Sequence, residues 1–196
     1  DAPREQAPAA VAALRTLGLE PRIASGDHAD AVSATARALG IEAWRARLLP
    51  EQKLAWVGEL RDSGRRVLAV GDGINDAPTL RAADVSVAMG TGSSLAQASA
   101  DLVALHGDLA TLPVAVRTAR RTTAIVRQNL AWSAAYNLVS LPLAALGLIP
   151  PWVAALGMSL SSLLVVLNAL RLSRLPGPAP TPVARPALAP HPVEAA

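Results

Sequence analysis

The stretch "VLAVGDGINDAPTLRAADVSVAMG", residues 67–90, sets two aspartates in a glycine-rich turn directly after an apolar run. The run VLAV predicts a buried strand, and the glycines on either side of Asp72 predict a tight turn at its carboxyl end. Asp76 lies on the far side of that turn. Mg²⁺ prefers carboxylate and phosphate oxygens as ligands. The turn therefore predicts a site for magnesium and phosphate.

Helical and strand patterns alternate on both sides of this turn. Strands are predicted in "EPRIASGD", "IEAWRARL", "VSVAM" and "DLVAL", and helices over residues 8–17, 28–39, 51–62, 76–83 and 93–100. Such alternation predicts an α/β fold of the Rossmann-like kind, with a parallel sheet and helices on both faces. Ligands of such sheets lie beyond the carboxyl ends of the strands. Both "SGD" and "GDGIND" fall at such ends.

Composition excludes several functions. The chain of 196 residues holds no cysteine, which excludes disulfides, thiolate metal sites and a Cys nucleophile within it. Residues 1–110 carry 14 acidic and 11 basic side chains, and the remainder carries one acidic residue and seven arginines. No basic stretch is interleaved with aromatic residues, so nucleic acid is not an expected partner. The chain does not begin with Met and is expected to be part of a longer polypeptide.

A second region is predicted to lie in a membrane. Residues 128–170 form a run of 43 residues without a charge, enough for two spans of about 20 residues each. "IPPW", residues 149–152, predicts the turn between them. Arginines flank both ends of the run: Arg117, Arg120, Arg121, Arg127, Arg171 and Arg174. The positive-inside rule therefore predicts that both ends are cytoplasmic. We expect a basic linking helix and a transmembrane hairpin over residues 111–174.

The last region, residues 175–196, holds seven of the sixteen prolines and predicts a disordered cytoplasmic tail.

Several side chains of the first region suit phosphoryl transfer, which needs positioning and charge neutralisation more than covalent help. Besides the two aspartates, a lysine and groups that donate hydrogen bonds are at hand. The candidates are Ser25, Gly26, Lys53, Gly73 and Asn75.

Taken in order, "SGD", "LPEQK", "VGDGINDAP" and "VAMG" resemble the haloacid dehalogenase superfamily and, within it, P-type ATPases. The resemblance covers about residues 5–174 and makes residues 1–110 the C-terminal part of a phosphorylation domain. It implies that Asp72 binds Mg²⁺ and that Asp76 with Asn75 supports the magnesium and phosphate site. It also implies that ATP is the substrate.

The resemblance assigns the remaining candidates as well. Lys53 would neutralise the phosphoryl group, Ser25 with Gly26 would hydrogen-bond it, and Asp27 would complete the "SGD" motif near the nucleotide. The nucleophilic aspartate of the family lies in DKTGT, which is absent here, as are the nucleotide-binding domain and the actuator motif TGE. This chain alone is therefore expected not to autophosphorylate.

The hairpin resembles the last two membrane helices of copper-transporting P-type ATPases. "NLAWSAAYNLVSLP" fits N-x6-Y-N-x4-P, and "MSLSS" fits M-x-x-S-S. The copper ligands implied are Tyr136, Asn137, Met158 and Ser162. A thioether suits Cu(I), whereas the zinc and cadmium branch would place a lysine and an aspartate here. "MSLSS" is also close to a Cu(II)-type pattern, and that alternative stays open.

The leading hypothesis is the C-terminal portion of a copper-exporting P-type ATPase, a multi-pass protein of the cell membrane. Its partners would be the upstream portion of the pump, which carries the actuator, nucleotide-binding domain and earlier membrane helices, together with the lipid bilayer. Two alternatives remain. One is a membrane-anchored phosphatase of the same superfamily, which would also need a nucleophilic Asp. The other is a half-chain without activity that pairs with, or regulates, a second polypeptide.

Overall fold

The computed structural model of the chain describes residues 4–90, 92–105 and 107–173. Arg174 and the predicted tail over residues 175–196 lie outside the described residues.

Helices and strands alternate along the first region as the sequence predicts. In chain order they are α1 (Ala7–Thr16), β1 (Ile23–Ala24), α2 (Ala29–Ala38), β2 (Trp44–Arg45), α3 (Pro50–Asp62), β3 (Leu68–Gly71), α4 (Ala77–Ala82), β4 (Val85–Met89), α5 (Ser94–Ser99) and β5 (Leu102–Ala104). A single 3-10 turn, Ile74–Asp76, joins β3 to α4. Two long helices follow, α6 (Thr111–Ala145) and α7 (Pro151–Ala169), and a second 3-10 turn, Leu170–Leu172, ends the described chain.

All strand pairs in the described residues are parallel, as predicted, but they form two sheets. One sheet has the order β1-β2 and the other the order β3-β4-β5. In the larger sheet Gly71 of β3 is opposite Ala88 of β4. The GDGIND turn therefore leaves the sheet at its carboxyl edge, where α/β proteins hold their ligands.

The core of the larger sheet is built from small residues. Ala88 and Ala96 are fully buried and Leu80 is 1% exposed, and these three side chains pack together. The only buried polar residue among those described is Ser86, whose hydroxyl and amide both donate to the Asp101 carboxylate at 2.8 Å. This network ties β4 to the segment that leads into β5.

The linking helix and the first predicted span are one continuous helix, α6, of 35 residues. The change from basic to apolar composition near Gln128 predicts a boundary there, but no glycine lies between Thr111 and Ala145, and Pro113 occupies the first turn. Pro142 is accommodated one turn before the end. The helix therefore has no glycine or proline near Gln128 that would break it at the predicted boundary.

A tight turn reverses the chain between α6 and α7. Gly147 adopts a positive φ of 70° just after α6 ends, and Pro151 begins α7. Within the described residues, only Pro151–Leu172 is long enough and apolar enough to cross a membrane. The most apolar stretch of this segment contains no buried residue. α6 and α7 pack against each other as a helical hairpin, and of the two predicted spans only the second corresponds to a helix of this composition in the described part of the chain.

The hairpin joins the α/β region through α6. The Arg120 guanidinium donates to the Leu17 carbonyl at the end of α1. Near the start of α6, Arg4 donates to the Gly107 carbonyl at 2.6 Å. These contacts connect α6 to the end of α1, and the segment before α1 to the segment before α6.

Candidate functional site

The centre of the candidate site is an ion pair between α3 and the turn after β3. Lys53 Nζ donates to Asp76 Oδ1 at 2.7 Å, and the two side chains are only 14% and 21% exposed. The other oxygen of Asp76 accepts the Gly73 amide at 3.2 Å. Asp76 therefore has both oxygens held, and the only lysine of the chain is aimed at the carboxyl edge of the sheet.

Close approach requires two glycines around this turn, Gly71 at its start and Gly92 in the loop after β4. A Cβ on Gly71 would lie 2.8 Å from the Asp76 Cβ, and a Cβ on Gly92 would lie 2.5 Å from the Asp72 carbonyl oxygen. The Ser93 amide donates to that same carbonyl at 2.8 Å. The loop that begins after β4 thus packs against the backbone of Asp72 and leaves the Asp72 side chain facing outward.

The Asp72 carboxylate is available to a ligand. Its side chain is 59% exposed, and its nearest basic group is the Arg4 guanidinium at 4.0 Å, itself 48% exposed. An exposed pair at that distance contributes little to stability. Mg²⁺ typically takes one or two protein carboxylates and completes its shell with phosphate oxygens and water.

That donor set fits magnesium. Within the described residues no group of three or more His, Cys, Asp or Glu side chains is arranged to hold a metal ion. Asp72 and Asp76 supply the one or two carboxylate oxygens that Mg²⁺ needs when phosphate oxygens provide other ligands. A metal that requires three or four protein ligands would not be satisfied by these residues.

The "SGD" segment forms its own turn at the end of β1. Ser25 Oγ donates to Asp27 Oδ2 at 2.9 Å, and the Asp27 amide donates back to Ser25 Oγ at 3.2 Å. The Leu48 amide donates to the Ser25 carbonyl at 3.0 Å. A Cβ on Gly26 would lie 3.4 Å from the Leu48 carbonyl oxygen. The turn is therefore locked against the segment that leads into α3.

The structure brings some of the predicted residues together and leaves others apart. Lys53, Asp76 and Gly73 are in direct contact, and Ser25 and Asp27 contact each other. Asn75 is exposed on the 3-10 turn. The two clusters are connected through α3, because the segment before this helix contacts Ser25 and Lys53 lies in its first turns.

In the hairpin the four predicted copper ligands do not converge within this chain. The Tyr136 hydroxyl donates to the Ala154 carbonyl at 3.5 Å. Ser162 Oγ donates to the Met158 carbonyl at 3.0 Å, which places these two residues on one face of α7. Met158 is 65% exposed and Asn137 is also exposed. Of these four residues, only Tyr136 makes a hydrogen bond between the two helices.

Other polar residues hold that interface. Trp132 Nε1 donates to Ser161 Oγ at 3.1 Å, and Asn168 Nδ2 donates to Asn129 Oδ1 at 2.9 Å. A Cβ on Gly157 would lie 2.8 Å from the Tyr136 hydroxyl.

Neither Gly157 nor Gly92 is predicted from the sequence to have a role. A glycine that closely approaches a group on another element leaves no pattern along the chain, so the sequence carries no signal for these two positions.

The comparisons with known proteins agree with this geometry. Residues 1–84 match the haloacid dehalogenase-like hydrolase family. The copper-exporting P-type ATPase of Staphylococcus aureus (strain JH9) is 42% identical over 175 residues, which cover 89% of this chain and 22% of that protein.

The chain matches the C-terminal region of copper-exporting P-type ATPases.

Solved structures of P-type ATPases share the fold. A zinc-transporting PIB-type ATPase in its E2.Pi state superposes with a TM-score of 0.83 and 37% identity, over 89% of this chain and 28% of that one. The catalytic domain of the CPx-ATPase CopB-B, also 37% identical, superposes with a TM-score of 0.56 over 58% of this chain and 45% of that one. The P-type ATPase match thus extends through both the α/β region and the hairpin, while the chain spans about a fifth of the length of the curated relatives it matches.

Proposed function

We propose that this chain is the C-terminal portion of an ATP-driven copper exporter, and that it supplies magnesium and phosphate groups together with part of the membrane metal site. The observation that carries the proposal is the Lys53–Asp76 pair at the carboxyl edge of β3, beside the exposed carboxylate of Asp72. The same chain continues through one helix into the apolar hairpin.

The chemistry assigned to each residue follows from charge and position. Bound Mg²⁺ would neutralise charge on the phosphoryl group. Asp72 would hold this ion, and Asp76 would keep the ammonium group of Lys53 at the edge where the phosphoryl group lies. Ser25 Oγ and the Gly26 amide would donate hydrogen bonds to phosphate oxygens, and Asp27 orients the serine. Gly73 and Asn75 would complete the nucleotide side of the site.

The domain arrangement is part of the proposal. Residues 1–110 would be the C-terminal part of the phosphorylation domain, residues 111–174 the linking helix and two membrane helices, and residues 175–196 the tail. The phosphorylated aspartate, the actuator, the nucleotide-binding domain and the earlier membrane helices would belong to the rest of the pump. On its own, this chain would not autophosphorylate. The soluble region and both ends of the hairpin would face the cytoplasm, in line with the flanking arginines.

Copper is the cargo that the hairpin residues favour. No acidic or basic side chain occurs between Gln128 and Leu170, so a hard or borderline divalent ion would find no charged ligand there. A soft thioether is present at Met158, and thioethers select Cu(I). Tyr136, Asn137 and Ser162 would complete this half of the path, with further ligands from other helices of the pump.

The proposal is tested by labelling with γ-³²P-ATP in membranes, with and without Cu(I). The chain is expressed alone and together with the remaining part of a copper-exporting ATPase. We expect an acid-stable, hydroxylamine-sensitive label only when both parts are present, and its loss in Asp72→Asn. Label on this chain alone would contradict the assignment of the nucleophile to another segment. A folded complex without label would contradict the pump assignment.

A further inference from the structure

A chain of polar side chains joins the two helices of the hairpin at the end opposite its turn. Asn168 Nδ2 in α7 donates to Asn129 Oδ1 at 2.9 Å and to Gln128 Oε1 at 3.3 Å, and both acceptors lie in α6. The Arg171 guanidinium donates to Asn168 Oδ1 at 3.1 Å. Because Gln128 directly follows Arg127 in the chain, these hydrogen bonds bring Arg127 and Arg171 to the same end of the hairpin.

The positive charge of Arg127 and Arg171 is not neutralised by this chain. Both residues are exposed, and neither forms an ion pair in the described part of the chain. No acidic residue occurs in the sequence between Asp108 and Glu194. The bond from Arg171 to Asn168 uses only one N–H of the guanidinium group, so other donors remain free. Two cationic groups without a counter-charge attract an anion.

Exposed apolar side chains lie beside both arginines. Leu130 follows Arg127 by one helical turn and is 65% exposed, and Leu167 precedes Arg171 by one turn and is 51% exposed. Both leucines lie on the side of the arginines that leads toward the middle of the hairpin. A ligand that satisfies the arginines and the leucines together needs an anionic head and an apolar body. An anionic phospholipid has both, whereas free phosphate has only the charge.

We propose that Arg127 and Arg171 form a binding site for one anionic phospholipid, whose phosphate they bind and whose acyl chains lie against Leu130 and Leu167. The planar guanidinium group binds phosphate oxygens through two parallel hydrogen bonds. Basic groups between membrane helices on the cytoplasmic side suit anionic head groups. The inference rests on the proposed function only for the placement of the hairpin in a membrane, and its test requires neither copper nor ATP.

The test uses the full chain with isotopically labelled arginine in micelles of a short-chain phosphatidylcholine, titrated with phosphatidylglycerol of the same chain length. We expect saturable shifts of the Nε–H signals of Arg127 and Arg171, which Arg127→Gln and Arg171→Gln assign. Each variant should lower the affinity for phosphatidylglycerol about fivefold, and the double variant about twenty-five-fold, the contribution of arginines near an anionic membrane surface. Unchanged affinity in the double variant would overturn the inference.

A matched control removes the same charge elsewhere. Arg37 and Arg81 are exposed residues of the α/β region. The double variant Arg37→Gln and Arg81→Gln should leave the affinity for phosphatidylglycerol unchanged. An equal loss of affinity in this control would show that only the net charge of the chain matters, and would overturn the site.

Two further measurements separate a built site from a diffuse attraction. The double variant Arg127→Lys and Arg171→Lys keeps both charges but lacks the planar fork of arginine, so its affinity should fall at least about threefold. Affinity equal to that of the parent chain would contradict the site. Inorganic phosphate at the same concentrations should shift neither signal. Equal shifts with phosphate and with phosphatidylglycerol would replace the lipid by a general anion.

Reconstitution distinguishes failure of the lipid site from failure of the proposed function. Flotation of the chain with vesicles of phosphatidylcholine alone measures insertion without any anionic lipid. A chain that inserts but does not prefer phosphatidylglycerol overturns the lipid site alone, and a chain that does not insert overturns the membrane placement as well. Loss of the preference on assembly with the remaining part of the pump would assign the two arginines to a protein partner and overturn the inference.

Discussion

Lys53 Nζ and Asp76 Oδ1 are 2.7 Å apart although 23 residues separate them in the chain. Both side chains are largely shielded from solvent, whereas the pair between Arg45 and Glu59, at a similar 2.8 Å, is about half exposed on both sides. The N–O distances are thus nearly equal in the two pairs, whereas their burial differs. This contrast allows the energetic contribution of the site pair to be measured against a reference within the same chain.

A double-mutant cycle of Lys53→Met and Asp76→Asn is expected to give a coupling energy of about 1.5–3 kcal/mol, the range of hydrogen bonds to charged groups in partly desolvated sites. The cycle of Arg45→Met and Glu59→Gln should give about 0.2–1 kcal/mol, because water screens an exposed pair. Denaturant unfolding of the full chain in micelles measures both. Equal coupling energies in the two cycles would show that burial does not strengthen the Lys53–Asp76 pair.

Gly71→Ala is expected to destabilise the turn after β3, because its Cβ would lie 2.8 Å from the Asp76 Cβ, closer than real Cβ atoms come, so one of the two segments must shift. Gly58→Ala is the matched control. Gly58 lies in the middle of α3, and an added Cβ there meets nothing within 4 Å. Alanine should stabilise that helix by about 0.5–1 kcal/mol. Thermal unfolding should therefore shift in opposite directions for the two variants.

Stability should fall at acid pH through Asp101. The Ser86 hydroxyl, and next the Ser86 amide, donate to the Asp101 carboxylate and hold its pKa below its ordinary value. Unfolding returns that pKa to about 3.9. The folded state thus binds the proton less readily, so the stabilisation is complete above that value and is lost as the pH falls through the lower folded pKa.

Asp101→Asn should therefore lower the melting temperature at pH 7, with the difference from the parent chain shrinking below about pH 4. Ser86→Ala should reduce the same acid-dependent component, because it removes the largest cause of the shift. A melting-temperature difference that does not change between pH 3 and pH 7 would show that the carboxylate charge contributes nothing.

Met158→Leu is expected to lower Cu(I) affinity at least tenfold in the assembled pump, because leucine keeps the volume of methionine but lacks its sulfur. The chain contains one other methionine, Met89, which is buried in β4 at 4% exposure. Met89→Leu should leave copper affinity unchanged. Competition with a Cu(I) chelator measures both variants, and equal affinities would remove Met158 from the metal site.

Asn168→Leu should loosen the hairpin, because Asn168 donates to Asn129 across the two helices. Polar pairs between membrane helices contribute about 0.6 kcal/mol on average, and a small loss of that order is expected in unfolding by a denaturing detergent. Val165→Leu is a control on the same helix that removes no hydrogen bond. If Val165→Leu loses more stability than Asn168→Leu, packing and not the Asn168–Asn129 pair holds the two helices together near Asn168.

The sequence predicts the helices of the α/β region well because their ends carry strong signals. Pro50 begins α3, and Gly40 and Gly64, both with positive φ, follow α2 and α3. The second strand is predicted over eight residues and contains two, Trp44 and Arg45. Its apolar pattern is weak, and the backbone leaves the sheet as soon as Arg47 adopts a positive φ of 54°.

The candidate site is predictable in its members but not in its contacts. Motif resemblance assigns Lys53 and Asp76 to one phosphate site, yet their direct pairing depends on how α3 packs beside the turn after β3. The division of the strands into two sheets, β1-β2 and β3-β4-β5, is likewise not predicted, because the local pattern identifies strands but not their partners. The sequence does not predict that α6 is continuous, because the composition changes from basic to apolar near Gln128 although no glycine or proline interrupts the helix there.

The unbroken α6 also imposes a rotational constraint. At about 1.5 Å per residue its 35 residues extend about 52 Å. Each residue turns the helix by about 100°, so the sixteen steps from Arg120 to Tyr136 amount to four full turns and about 160°. Inserting a single alanine between them would leave the helix intact but turn Tyr136 by more than a quarter of a circle relative to α1. The number of residues between the α/β region and the hairpin is therefore fixed by angle as strictly as by distance.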